Sequence, residues 1–127
     1  MSSCNISAGP SCSACVDNPR PGGVKLLTKS ERSSLIEPLM KKGWKQCGHV
    51  DGINKRFEWR NFDDAFLFME SVAKKAVAQN HHPEWTNVYN VVNITLTTHE
   101  CNGLSEQDVI LATEIEKSKA EVESKTK

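Results

Sequence analysis

Apolar residues change their spacing several times along this chain, and each change marks an element. Leu35, Ile36, Leu39 and Met40 recur at helical spacing behind Thr28-Lys29-Ser30-Glu31, a capping-box sequence in which the Thr hydroxyl and the Glu carboxylate serve each other's backbone amides. Gly43 follows Lys41 and Lys42, a good helix end, so the first helix is expected over about 28–42 and should persist through Pro38. A strand is expected from Trp44 to Cys47. In the next run Ile53, Phe57 and Trp59 share one parity, while Asn54, Arg56, Glu58 and Arg60 share the other. That alternation is a strand with one buried face. Lys55 breaks the apolar parity and suggests an edge, and Asp51-Gly52 suggests a hairpin turn.

Helical spacing returns at 63–79, behind the potential cap Asn61. Ala65, Phe66, Met69, Val72, Ala73 and Ala76 form a broad stripe, with Phe68 and Val77 off its centre. Two buried faces are expected, used either for a subunit interface or for packing within the monomer. Pro83 stops the helix. Two strands follow, Thr86–Tyr89 and Val91–Thr98, with Val92, Ile94, Leu96 and Thr98 alternating against Asn93, Thr95 and Thr97, and His99 closing the second. Leu104, Ser105, Asp108 and Val109 read as a hydrophobic staple around an N-cap, opening a third helix over about 106–119. Hairpin-spaced strands favour an antiparallel sheet. The expected fold is α+β, a four-stranded antiparallel sheet with three helices packed on one face, in the order α-β-β-α-β-β-α. The expected organisation is a disordered tail over 1–24, a domain over 25–120 and a frayed end over 121–127.

Composition narrows the function classes. The 127 residues carry 16 Lys plus Arg and 16 Asp plus Glu, so the net charge is zero. A direct nucleic-acid binder needs a basic excess. No apolar run approaches the ~20 residues of a bilayer span, and the first residues lack the basic and apolar regions of a secretory signal. Cys12 and Cys15 form a C-x-x-C pair, but no second pair completes a four-ligand zinc site, and the odd count of five cysteines suits reduced thiols.

Three of the four histidines, His81, His82 and His99, fall around the expected helix-to-strand junction and the end of the last strand. If those strands pair, the three imidazoles come to one end of the sheet around a concavity. Imidazole changes charge near neutral pH, so such a cluster suits eliminations and tautomerisations that pass through no covalent intermediate. The spacing leaves three uses open: acid/base catalysis, structural histidines, or an open metal site. There is no glycine-rich phosphate loop or dinucleotide fingerprint.

The run His81-His82-Pro83-Glu84-Trp85, with Tyr89, His99, Glu100-Cys101, Gly103-Leu104-Ser105 and Asp108 at their offsets, resembles the pterin-4a-carbinolamine dehydratases. The likeness extends upstream through Phe66, Phe68 and Met69 to Gly43-Trp44. It implies dehydration of 4a-hydroxytetrahydropterin to quinonoid dihydropterin, recycling the cofactor of aromatic amino-acid hydroxylases. It implies His81 and His99 as acid/base residues, with His82 also at the catalytic centre and orienting the pterin. Asn80, Thr97 and Thr98 would line the pocket, with Trp85 and Asp108 in support. No metal or organic cofactor is implied. Asp108 has a second reading, as a carboxylate at N3 of the third helix that favours the helix dipole. The family usually has an acidic residue where Val77 stands, Asp where Asn80 stands and Arg where Gln107 stands. The first two departures remove negative charge near the imidazoles and bear on efficiency more than on reaction type. The resemblance further implies a homodimer or homotetramer, a cytoplasmic and also nuclear location, and an alternative role as a dimerisation cofactor of a homeodomain transcription factor, without direct contact to nucleic acid or membrane.

Overall fold

The computed structural model describes residues 24–126. Apart from Val24, the expected N-terminal tail with its C-x-x-C pair lies outside the described residues.

Helix α1 spans 29–41 and starts as its capping box dictates. The Glu31 amide donates to Thr28 Oγ1 at 3.1 Å, and the Thr28 amide donates to Glu31 Oε1 at 2.8 Å. It does persist through Pro38, but by changing its winding: Lys29–Glu31 is α-helical, Arg32–Ile36 is π-helical, and Glu37–Lys41 is α-helical again. A proline lacks the N–H for the carbonyl four residues back and crowds it, and the wider π turn relieves that conflict. Gly43 then leaves the helix at φ 110°, a backbone conformation suited to glycine.

The sheet is antiparallel, in the order β1-β2-β4-β3, where β1 is Lys45–Gln46, β2 is Ile53–Glu58, β3 is Glu84–Val88 and β4 is Val91–Leu96. Register places Ile53, Phe57, Val92, Ile94 and Leu96 on one face, and all five are buried under the helices. Lys55 lies on that same face, on an inner strand rather than at an edge. Its ammonium donates to Glu116 Oε2 and to the Lys42 carbonyl, both at 2.7 Å, and Trp44 Nε1 donates to the same Glu116 oxygen at 3.0 Å. A buried cation on the core face is tolerated because these partners replace its water.

Helix α2, Phe62–Gln79, is capped by Asn61 Oδ1, which accepts the Asp64 amide at 2.9 Å. Its phase differs from the expected one. Phe68 is wholly buried between Phe57 and Trp59, whereas Phe66 is half exposed, together with Phe62, Leu67 and Val77. Helix α3, Glu106–Thr126, runs well past residue 119, and Val122 is buried within what was expected to be a frayed end. It packs along α2, where Ser71 and Ser118 hydroxyls meet at 2.8 Å and Lys75 reaches the Glu114 carbonyl. No helix among the described residues is long and apolar enough to cross a membrane.

Candidate active site

The site is built where α2 ends, β3 begins, β4 ends and α3 begins. Asn80 stops α2 in the left-handed region, at φ 57°. The His81 amide then closes back on the Ala76 carbonyl at 3.1 Å. This turn sends the His81 side chain into the protein, where it is 7% exposed. Its Nε2 lies 2.7 Å from Asp108 Oδ1, in the first turn of α3.

Asp108 is wholly buried, and its second oxygen is held by two more donors. Oδ2 accepts the Thr98 hydroxyl at 2.7 Å and the Ser105 amide at 3.0 Å. The Ser105 hydroxyl meets the Thr98 hydroxyl at 2.6 Å and accepts the Gln107 amide at 3.2 Å. Asp108 thus has two attachments: from the first turn of α3 it accepts the amide of Ser105, just before the helix, and it grips an imidazole that arrives from another helix. A buried carboxylate with a complete donor set is fixed in orientation, and it fixes its partner.

His99 is placed differently. β4 stops at Leu96, not at Thr98, and Thr98 forms an isolated bridge with Gly103. His99 opens a 3₁₀ turn, His99–Cys101, and is about half exposed. Its Nε2 lies 3.2 Å from Glu84 Oε2, at the start of β3. The register Glu84↔Thr95 sets the beginning of β3 beside the end of β4, so His81 and His82 reach the same end of the sheet as Thr97, Thr98 and His99. His82 is exposed.

The remaining expected residues divide. Thr98, expected with Asn80 and Thr97 to line the pocket partly through backbone groups, is buried, and its hydroxyl is spent on Asp108 and Ser105. The Thr97 hydroxyl donates to the Asp51 carbonyl at 2.9 Å. Trp85 packs against the core from the inner face of β3. Of the departures, Val77 is 73% exposed, Asn80 is the helix cap, and Gln107 is tied to α2 by Gln79 Nε2, which donates to its carbonyl at 2.7 Å and its side-chain oxygen at 3.2 Å. Ser105 and Glu84 were missed as site residues. Ser105 carried a signal as the N-cap, and Glu84 carried one as the carboxylate two residues beyond the histidine pair.

Among the described residues no three His, Cys, Asp or Glu side chains are grouped so that they could hold a metal ion. A surface cavity of about 310 Å³ opens elsewhere, beneath α1, lined by Lys29, Ile36, Met40 and Leu104 among others. None of the three histidines lines it.

Comparison with known proteins agrees with this architecture. Residues 25–118 match the family model described as pterin 4 alpha carbinolamine dehydratase. A pterin-4-alpha-carbinolamine dehydratase of Drosophila melanogaster is 46% identical over 90 residues, which cover 71% of this chain and 47% of that protein, so the chain spans about half the length of this relative. The crystal structure of a transcriptional coactivator/pterin dehydratase from Brucella melitensis superposes with a TM-score of 0.68 at 36% identity, covering 73% of this chain and 97% of the other. With the match spanning the whole histidine-bearing domain, the chain belongs to the pterin 4 alpha carbinolamine dehydratase family.

Proposed function

We propose that this protein is a dehydratase that converts 4a-hydroxytetrahydrobiopterin to quinonoid dihydrobiopterin by histidine acid/base catalysis, returning the pterin for reduction and reuse. The observation that carries the reading is the buried His81–Asp108 pair, at 2.7 Å, at the same sheet end as an exposed His99. In the reaction the C4a–O bond breaks, the hydroxyl leaves as water with a proton from an acid, and a base takes the proton of ring nitrogen N5. The C4a–O pair leaves with the hydroxyl and the N5–H pair closes the C4a–N5 double bond, so the step needs no oxidant or reductant and asks only for two placed proton carriers.

The environments divide these roles. In this reading Asp108 accepts from His81 Nε2–H, which leaves the Nδ1 lone pair as the base. His99, half exposed beside Glu84, is the acid. His82 orients the pterin, helped by Asn80 and Thr97. The family assignment and the similarity to named dehydratases support this reading. His81→Ala and His99→Ala should each lower the rate at least about tenfold in a stopped-flow assay with synthetic 4a-hydroxytetrahydropterin, while the circular dichroism melt stays cooperative. Full activity in the double variant would overturn the assignment.

A second reading has one favouring observation. Phe62, Phe66 and Leu67 are exposed on α2, an apolar face of the kind that seats another helix, and the Brucella melitensis neighbour bears the words transcriptional coactivator in its description. Self-association into a homodimer or homotetramer, or binding of a homeodomain transcription factor, would use this face. The cytoplasm, and also the nucleus, are the compartments these roles require.

A further inference from the structure

His99 sits on a short exposed turn whose orientation the sheet does not fix, because β4 has already ended. The turn is closed at its base by the Thr98 amide on the Gly103 carbonyl at 2.9 Å and the Gly103 amide on the Thr98 carbonyl at 3.1 Å. Asp108 holds one side of that base through the Thr98 hydroxyl. Asp51, from the loop between β1 and β2, holds the other. Its carbonyl accepts the Thr97 hydroxyl at 2.9 Å, and its Oδ2 accepts the Leu104 amide at 3.2 Å. A Cβ on Gly103 would collide with that same Oδ2, so a glycine is what allows the carboxylate to approach so closely.

Asp51 is itself gripped by α1. Arg32 Nη1 donates to Oδ1 at 2.8 Å and Nη2 to Oδ2 at 2.7 Å, while its Nε donates to the Leu27 carbonyl at 3.3 Å. The Leu27 amide in turn donates to the Leu104 carbonyl at 2.9 Å. The strap 103–105, which joins the His99 turn to the helix bearing Asp108, is thus held on both its amide and its carbonyl side by groups that Arg32 organises. The guanidinium holds the Asp51 carboxyl below its ordinary value, so it is charged throughout the neutral range. Both side chains are about one-third exposed, where an ion pair adds little stability. A two-pronged pair in such a place contributes geometry instead.

We propose that Arg32 and Asp51 are positioning residues that aim the His99 turn at the substrate. The inference rests on the dehydratase reading, in which His99 is the acid. Neither residue touches the pterin; they act through Leu104, Gly103 and Thr97.

The test compares Asp51→Asn and Arg32→Lys with His99→Ala and the unaltered protein. Asp51→Asn keeps an oxygen for Leu104 but loses the charge, and Arg32→Lys keeps the charge but loses the fork. Each should lower kcat roughly tenfold with KM within about twofold, since small misplacements of a catalytic group are costly in rate. Amide hydrogen exchange at Cys101, Asn102 and Gly103 should quicken at least about tenfold, with the core amides of α2 unchanged. A purely structural role would instead lower the melting temperature and quicken exchange everywhere. Unchanged exchange in the turn, or a loosened turn with full kcat, overturns the proposal. If one variant fails to fold, the other decides by the same two readouts. Full activity in His99→Ala would instead overturn the reading beneath it, and the exchange data keep the two failures apart.

Discussion

At the scale of single residues, the site depends on an order of hydrogen bonds that begins with two hydroxyls. Thr98 donates to Asp108, so the Ser105 hydroxyl donates to Thr98, and Asp108 is left with the orientation that His81 needs. Thr98→Val removes the middle of this series while keeping its shape. It should cost about 1–3 kcal/mol in a urea melt, the usual cost of stranding a buried polar group, and lower kcat by loosening His81. A variant of full stability and rate would show that Asp108 needs only the Ser105 amide. The family was legible in the sequence, because the histidines stand at distinctive offsets from Trp85, Tyr89 and Gly103-Leu104-Ser105, although their spacing alone left their use open. The pairing was not legible. His81 and Asp108 are 27 positions apart, and nothing local in either stretch distinguishes a carboxylate that serves its own helix from one that also serves a neighbour's imidazole.

At the scale of elements, periodicity located the four strands and three long helices of the described residues but not every phase, and it gave no sign of the 3₁₀ turn His99–Cys101. The segment that became α2 has apolar side chains at Phe62, Ala65, Phe66, Leu67, Phe68 and Met69, so dense a run that several phases bury similar area. Packing settled it, by seating Phe68 against Phe57 and Trp59. Lys55 was read from its strand alone, and the partner that permits it on the core face, Glu116, lies on α3. Glu116→Ala should therefore destabilise by about 3 kcal/mol, since it strands a cation only 12% exposed and also removes the acceptor of Trp44. Lys55→Met with Glu116→Leu should recover most of that loss in a thermal melt. A double variant no better than Glu116→Ala alone would mean that the helix–strand contact depends on the charges themselves. Pro38 likewise announced a conflict with α1 without showing its form, because a kink, a break and a π turn all relieve a missing donor.

At the scale of the whole molecule, α3 joins the parts: Asp108 in its first turn faces the site, Leu111 and Ile115 enter the core, and Glu116 reaches under the sheet. The outward apolar face of α2, with Phe62, Phe66 and Leu67, is where the proposed association is tested. Phe66→Asp should reduce the particle mass in light scattering with stability changed by less than about 0.5 kcal/mol, whereas a charge at wholly buried Phe68 should unfold the protein. An unchanged mass for Phe66→Asp would place any interface elsewhere. The contrast between the two histidines also has a consequence in time. An exposed side chain such as His99 changes rotamer in picoseconds to nanoseconds. The His81 ring cannot turn without parting from a carboxylate that Thr98 and Ser105 hold, so it reorients only when the junction of α2 and α3 opens locally. In the proposed mechanism, one proton carrier is thus effectively stationary during a turnover while the other samples its surroundings many times, and the slow partner sets where the pterin must lie.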